Sequence, residues 1–118
     1  MLIGKENSVN EKLLTEINRI MPVCFVEIEV LLDKRTESLE CNPKIIFVNL
    51  MDVGADEKKL LKKLKCIFPN AKLLGIHCYM VPSMIDQTLE KGYDAYLPIF
   101  EFSENLEAII QSLTTKER

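Results

Sequence analysis

The sequence predicts an α/β fold in which a mostly parallel sheet carries helices on both faces. Two observations predict it. Short runs rich in Ile, Val and Phe alternate along the whole chain with stretches whose apolar residues recur at helical spacing. The central run, residues 44–50, is almost continuously apolar, as a strand buried on both faces would be. At 118 residues the chain has the length of one domain, spanning 1–118, and folding should bury about two-thirds of its extended surface.

The first strand is expected at residues 1–4, followed by a helix whose apolar face is Val9, Leu13, Leu14, Ile17 and Ile20. Ser8, with Glu11 three residues later, fits a capping box at its start. Pro22 breaks the chain before a second strand at 23–32. The second helix falls in 34–41 as one or two turns, because Leu39 is its only apolar anchor among Thr36, Ser38 and Glu40. Pro43 precedes the third strand. The third helix opens on Asp56 and Glu57, buries Leu60, Leu61, Leu64 and Ile67, and ends before Pro69. A fourth strand follows at 72–77, then a fourth helix after Pro82, then a fifth strand at 95–100. Ser103 is expected to cap the last helix, with Glu104 in its first turn and Leu106, Ile109, Ile110 and Leu113 on its inner face.

Composition excludes several functions. With 47% hydrophobic and 28% charged residues the chain is neither a disordered tail nor a disulfide scaffold. A net charge of -3 argues against a nucleic-acid binder, so Lys58, Lys59, Lys62, Lys63 and Lys65 read as one solvated helix face. The apolar runs are too short to cross a bilayer and the start has no signal-peptide pattern, so a cytoplasmic protein without membrane contact is expected. Cys24, Cys41, Cys66 and Cys78 form no CxxC pair, and one histidine cannot complete a zinc set, so reduced thiols and no metal are expected. None of the four glycines forms a nucleotide-binding GxGxxG or GxxxxGK[ST] motif.

In a parallel sheet the crevice beyond the carboxyl ends of the strands is the default binding place. It would be lined by Gly4, Lys5 and Glu6, by Asn49, Leu50, Met51 and Asp52, by His77, Cys78 and Tyr79, and by Pro98 and Ile99. His77 and Cys78 are adjacent, but neighbouring strand residues point to opposite faces. They are therefore expected to diverge rather than share a proton.

Three strings, in order, resemble bacterial response-regulator receiver domains. The opening Met1-Leu2-Ile3-Gly4-Lys5-Glu6-Asn7-Ser8-Val9 is similar to the first strand and its turn, where the family carries two acids. Phe47-Val48-Asn49-Leu50-Met51 resembles the end of the third strand, where an aspartate accepts the phosphoryl group. Gly92-Tyr93-Asp94-Ala95-Tyr96-Leu97-Pro98-Ile99-Phe100 resembles the fifth-strand segment. The resemblance covers essentially the whole chain. It implies a flavodoxin-like three-layer sandwich, with a five-stranded parallel sheet of order 2-1-3-4-5 and five helices.

It also implies that the chemistry of the family is missing. Receivers hold Mg²⁺ between the acid pair and the acceptor aspartate, which attacks the phosphoryl group. Here the pair becomes Lys5 and Glu6, and the acceptor becomes Asn49, a neutral amide that cannot form an acyl phosphate. The signal-reading Thr or Ser falls on His77, with Cys78 as an alternative register. The phosphate-pairing Lys falls on Ile99, and the Pro after it on Phe100. Only Glu6 and Tyr96, at the switch-aromatic position, keep the expected type. Joint loss of acceptor, acid and lysine describes an atypical or pseudo-receiver without a Mg²⁺ cofactor. The Lys5 ammonium would then stand where the metal does, bonded to Glu6 or to the Asn49 oxygen.

The implied function is that of a non-enzymatic receiver-like domain in two-component or phosphorelay signalling, independent of phosphorylation and acting by protein association. A protein partner or a homodimer would use the face of the fourth helix, fifth strand and last helix, with Met84, Leu89, Tyr93, Tyr96, Pro98 and Phe100 as candidates. One alternative is a small-molecule sensor or enzyme using the crevice near His77 and Cys78. A weaker one is an active receiver phosphorylated at Asp52. Five βα units use nearly all of the chain, so its signal is expected to pass through its own surface to a separate partner or to protein outside this chain.

Overall fold

The computed structural model describes residues 1–32 and 42–115. Five strands, β1 (Leu2–Gly4), β2 (Phe25–Glu27), β3 (Ile45–Asn49), β4 (Lys72–His77) and β5 (Ala95–Pro98), form one parallel sheet of order β2-β1-β3-β4-β5. The helices are α1 (Ser8–Asn18), α2 (Ile28–Leu32), α3 (Leu50–Val53), α4 (Glu57–Ile67), α5 (Pro82–Glu90) and α6 (Phe102–Thr115). A 3₁₀ turn over Gly54–Asp56 joins α3 to α4. If that interrupted stretch is counted once, the described helices number the expected five. The second helix expected at 34–41 lies outside the described residues.

The strand pattern divides the core in two. Along β3, Ile45 and Phe47 point to one side with Leu13 and Ile17 of α1 and Leu106 and Ile110 of α6. Ile46 and Val48 point to the other, with Leu31 of α2 and Leu60, Leu61 and Leu64 of α4. All five residues of β3 are buried, as a strand covered on both faces requires.

Two strands are shorter than their apolar runs. The run 23–32 pairs only through Phe25, Val26 and Glu27, because β1 offers just Leu2, Ile3 and Gly4 as partners. Beyond that the chain coils into α2 and buries Ile28 and Leu31 at helical spacing. Similarly β5 stops at Pro98, opposite His77, where β4 ends, and Ile99–Glu101 turns as 3₁₀ into α6.

Helix starts differ as well. Asn7, not Ser8, caps α1: its backbone is extended and its Oδ1 accepts from Asn10 N at 2.8 Å. Ser103 lies inside the first turn of α6 rather than at its cap. Asp56 does stand at the N-cap of α4, without a side-chain hydrogen bond to it. On α1 the buried stripe is Asn10, Leu13 and Ile17, whereas Val9 and Ile20 are exposed.

Candidate functional site: the carboxyl end of the sheet

Strand order reverses between β1 and β3, and the crevice at their carboxyl ends is filled by a hydrogen-bonded cluster. Asn49 closes β3 and is 1% exposed, and Asn10, in the first turn of α1, is 2% exposed. Asn49 Nδ2 donates to Asn10 Oδ1 at 2.7 Å, while Asn49 Oδ1 accepts from Met51 N at 3.1 Å and so caps α3. Asn10 Nδ2 spends its two protons on Lys5 O at 2.5 Å and Asp52 Oδ2 at 2.8 Å. Asp52 Oδ2 also accepts from Lys5 N at 3.1 Å, and Asp52 Oδ1 from Asn7 Nδ2 at 3.4 Å. Flipping either buried amide would set like groups against each other, so the cluster fixes both orientations.

Gly4 makes room for this cluster. A Cβ at that position would run into Asn10 Nδ2 and stand 2.9 Å from Asp52 Oδ2. The small residue ending β1 therefore lets α1 and the segment after β3 meet across the strand end.

Lys5 does not take the metal's place. Its side chain is exposed, and its ammonium bonds neither Glu6 nor Asn49. The Asn49 oxygen expected as its partner is instead held by Met51 N. Glu6 is also exposed and takes no part in the cluster. A divalent cation needs several oxygens facing one point. Here both Asp52 oxygens face N–H donors, and the amide oxygens of Asn7, Asn10 and Asn49 are turned to Asn10 N, Asn49 Nδ2 and Met51 N. These residues do not fit Mg²⁺.

At the end of β4 the structure brings together what strand alternation was expected to separate. Cys78 Sγ lies 3.3 Å from His77 Nδ1. The strand ends at His77 and the backbone bends at Cys78, so the two no longer project to opposite faces. Cys78 N donates to His77 Nδ1 at 2.7 Å, which leaves the ring proton on Nε2. The imidazole stacks on Tyr79 with centroids 3.9 Å apart and planes 9° from parallel. Burial lowers the His77 pKa below its ordinary value; Glu57 opposes that shift and Lys91 adds to it.

Tyr96 is drawn in beside this group. Its hydroxyl donates to Tyr79 O at 2.8 Å, and burial pushes its pKa up to about 12. Ile99, expected from the resemblance in the place of the family's lysine, packs against the α1 and α6 side of the core. Among the interface candidates, Tyr93 at 5% and Tyr96 at 8% exposure are core residues and offer little surface. Leu89 and Pro98 are half-buried, Met84 is exposed, and Phe100 is 72% exposed.

Asn7 and Asn10 were not among the sequence candidates. The signal that could have found Asn10 is its place on the stripe 10, 13, 17, where a polar residue must face the sheet and find partners there.

No family model matches the chain, and no curated protein matches it in sequence. Solved structures do. The Salmonella typhimurium response regulator RcsB superposes with a TM-score of 0.74 at 14% identity, over 99% of this chain and 59% of that one. The chain has the receiver fold. The phosphorylated cyanobacterial phytochrome response regulator RcpA shares this receiver fold with a TM-score of 0.65 at 12% identity, over 99% of this chain and 94% of its own. The Mn²⁺-bound response regulator Rcp1 follows at 0.62 and 12%, over 93% and 90%. The chain thus spans about three-fifths of the RcsB structure and nearly all of the other two. Among the described residues, no helix of this receiver fold is long and apolar enough to cross a membrane.

Proposed function

We propose that this chain is a receiver-like signalling domain, a pseudo-receiver that passes its signal by protein association without phosphoryl transfer, Mg²⁺ or catalysis of its own. The observation that carries the reading is the Asn49–Asn10–Asp52 cluster. A receiver needs an acceptor carboxylate open to attack and a metal beside it. This chain has an amide at the acceptor position, and its nearest carboxylate, Asp52, is used as a hydrogen-bond hub for Lys5, Asn7 and Asn10. Attack by Asp52 on phosphorus would require it to give up those donors, with neither a full metal site nor the family's lysine to receive the charge.

Association would use the face of α5, β5 and α6, led by Met84 and Phe100 with Leu89 and Pro98 beside them. Met80 and Val81, both exposed and placed just before α5, extend it. The proposed domain would act in the cytoplasm on protein and not on nucleic acid, consistent with the net charge of -3.

The test is to add Mg²⁺ with acetyl phosphate, or with beryllofluoride, and to follow intact mass and amide NMR shifts. No adduct and no shift at Asn49, Asp52 or Tyr96 is the expected result. A stoichiometric adduct on Asp52 would overturn the reading and make the chain an active receiver with a displaced acceptor.

A further inference from the structure

We propose that Cys78 is a thiol–disulfide exchange site, with His77 as its proton acceptor and a low-molecular-weight disulfide as its reactant.

The geometry is that of an activated nucleophile. Cys78 is exposed, and its Sγ stands 3.3 Å from His77 Nδ1, within reach of a sulfur hydrogen bond. The base is itself held by a third group, as such pairs require. The His77 ring is clamped flat against Tyr79, and Tyr79 is tied through its carbonyl to the Tyr96 hydroxyl at 2.8 Å. His77 Nδ1 presents an acceptor lone pair, as its bond from Cys78 N shows, and because burial disfavours the imidazolium a proton taken there is readily passed on. Cys66 provides an internal contrast: it too is a free, exposed thiol, but it lies on α4 with no imidazole against it.

The reaction balances without any metal or outside electron source. The Cys78 S–H proton passes to His77 Nδ1, whose bond from Cys78 N is released as it does so. Cys78 Sγ then attacks one sulfur of the disulfide, forming a new S–S bond and breaking the old one. The departing thiolate takes the proton back from the imidazolium. The products are a mixed disulfide on Cys78 and one free thiol, and a second thiol reverses the step. This chemistry is independent of the receiver reading, which rests on Asn49 and Asp52, so either can fail without the other.

The probe is dithiodipyridine at limiting concentration with the full chain, the labelled cysteine being located by peptide mass spectrometry over time. Cys78 should label about tenfold or more faster than Cys66, the increment expected from a positioned base. His77→Phe keeps a ring for Tyr79 and removes the acceptor, and should bring Cys78 down to the Cys66 rate. Cys78→Ser should abolish the fast phase and leave the slow one intact, which holds even if the histidine variant folds poorly. Equal rates at Cys66 and Cys78 in the unmodified sequence would overturn the proposal. So would a folded His77→Phe chain that keeps the full Cys78 rate.

Discussion

Asn49, which the proposed receiver reading puts at the phosphoacceptor position, works as a structural amide, donating to Asn10 and accepting from the first turn of α3. Asn49→Asp would set a carboxylate against Asn10 Oδ1 with the Asp52 carboxylate close in sequence and in the same cluster. Losing one buried bond and facing an unpaired acceptor should cost about 2 kcal/mol, read as a lower urea midpoint. The same variant should gain no Mg²⁺-dependent labelling, because the lysine and first-strand acid remain absent. Efficient labelling would show that the amide alone had silenced the site. A second residue-scale expectation concerns His77. Its pKa is lowered in the folded chain, so below its ordinary value near 6.5 the unfolded chain binds the proton more readily. Its contribution to stability is therefore intact above that value and lost as pH falls through it towards the lowered one. Urea midpoints at about pH 5 and pH 7 should differ more for the unmodified chain than for His77→Phe. Sequence reading reached Asn49 and Asp52 by position but missed Asn7 and Asn10. The stripe 10, 13, 17 places Asn10 against the sheet, but the partners of both residues lie some forty positions away, where α1 meets the end of β3, and no local pattern names them.

Among the elements, α5 is the least anchored. Thr88 is its only buried residue, and Val81 stands at its N-cap in extended backbone without a side chain able to accept a hydrogen bond. Val81→Asp would supply that acceptor and a negative charge at the amino end of the helix. It should raise stability by about 1 kcal/mol, visible as a higher thermal midpoint. At the other end Gly92 turns the chain into β5 at φ +123°, where a side chain is strained and would also meet Lys65. Element identity was legible wherever a run was long and its neighbours matched it, as in β3, β4, α4 and α6. It failed at 28–32, where the apolar content is right for a strand but the three residues of β1 leave nothing to pair with. Strand length is set by the shorter partner, which is a property of the sheet and not of the run.

Across the molecule, exposed apolar side chains gather at one pole. Val9, Val30, Met51, Met80, Val81, Met84 and Phe100 all follow the carboxyl ends of strands within a few residues, and among the described residues only Ile20 completes the set of large exposed hydrophobics. Such clustering marks an association surface better than scattered exposure does. In sedimentation the chain should show a mass that rises with concentration, and Phe100→Glu should hold it at the monomer value. A chain that stays monomeric throughout would leave a different protein as the occupant of that surface. The parallel architecture was legible from the alternation of runs, whereas this polarity was not. The chain also has three tyrosines and no tryptophan, so tyrosine alone supplies its intrinsic fluorescence. Tyr79 lies flat against His77 and Tyr96 is bonded to the Tyr79 carbonyl, which places two of the three emitters at the carboxyl end of β4. Protonating the imidazole, or loading the thiol beside it, changes the quencher nearest those rings. The molecule therefore carries its own optical gauge at that strand end, readable in unlabelled protein.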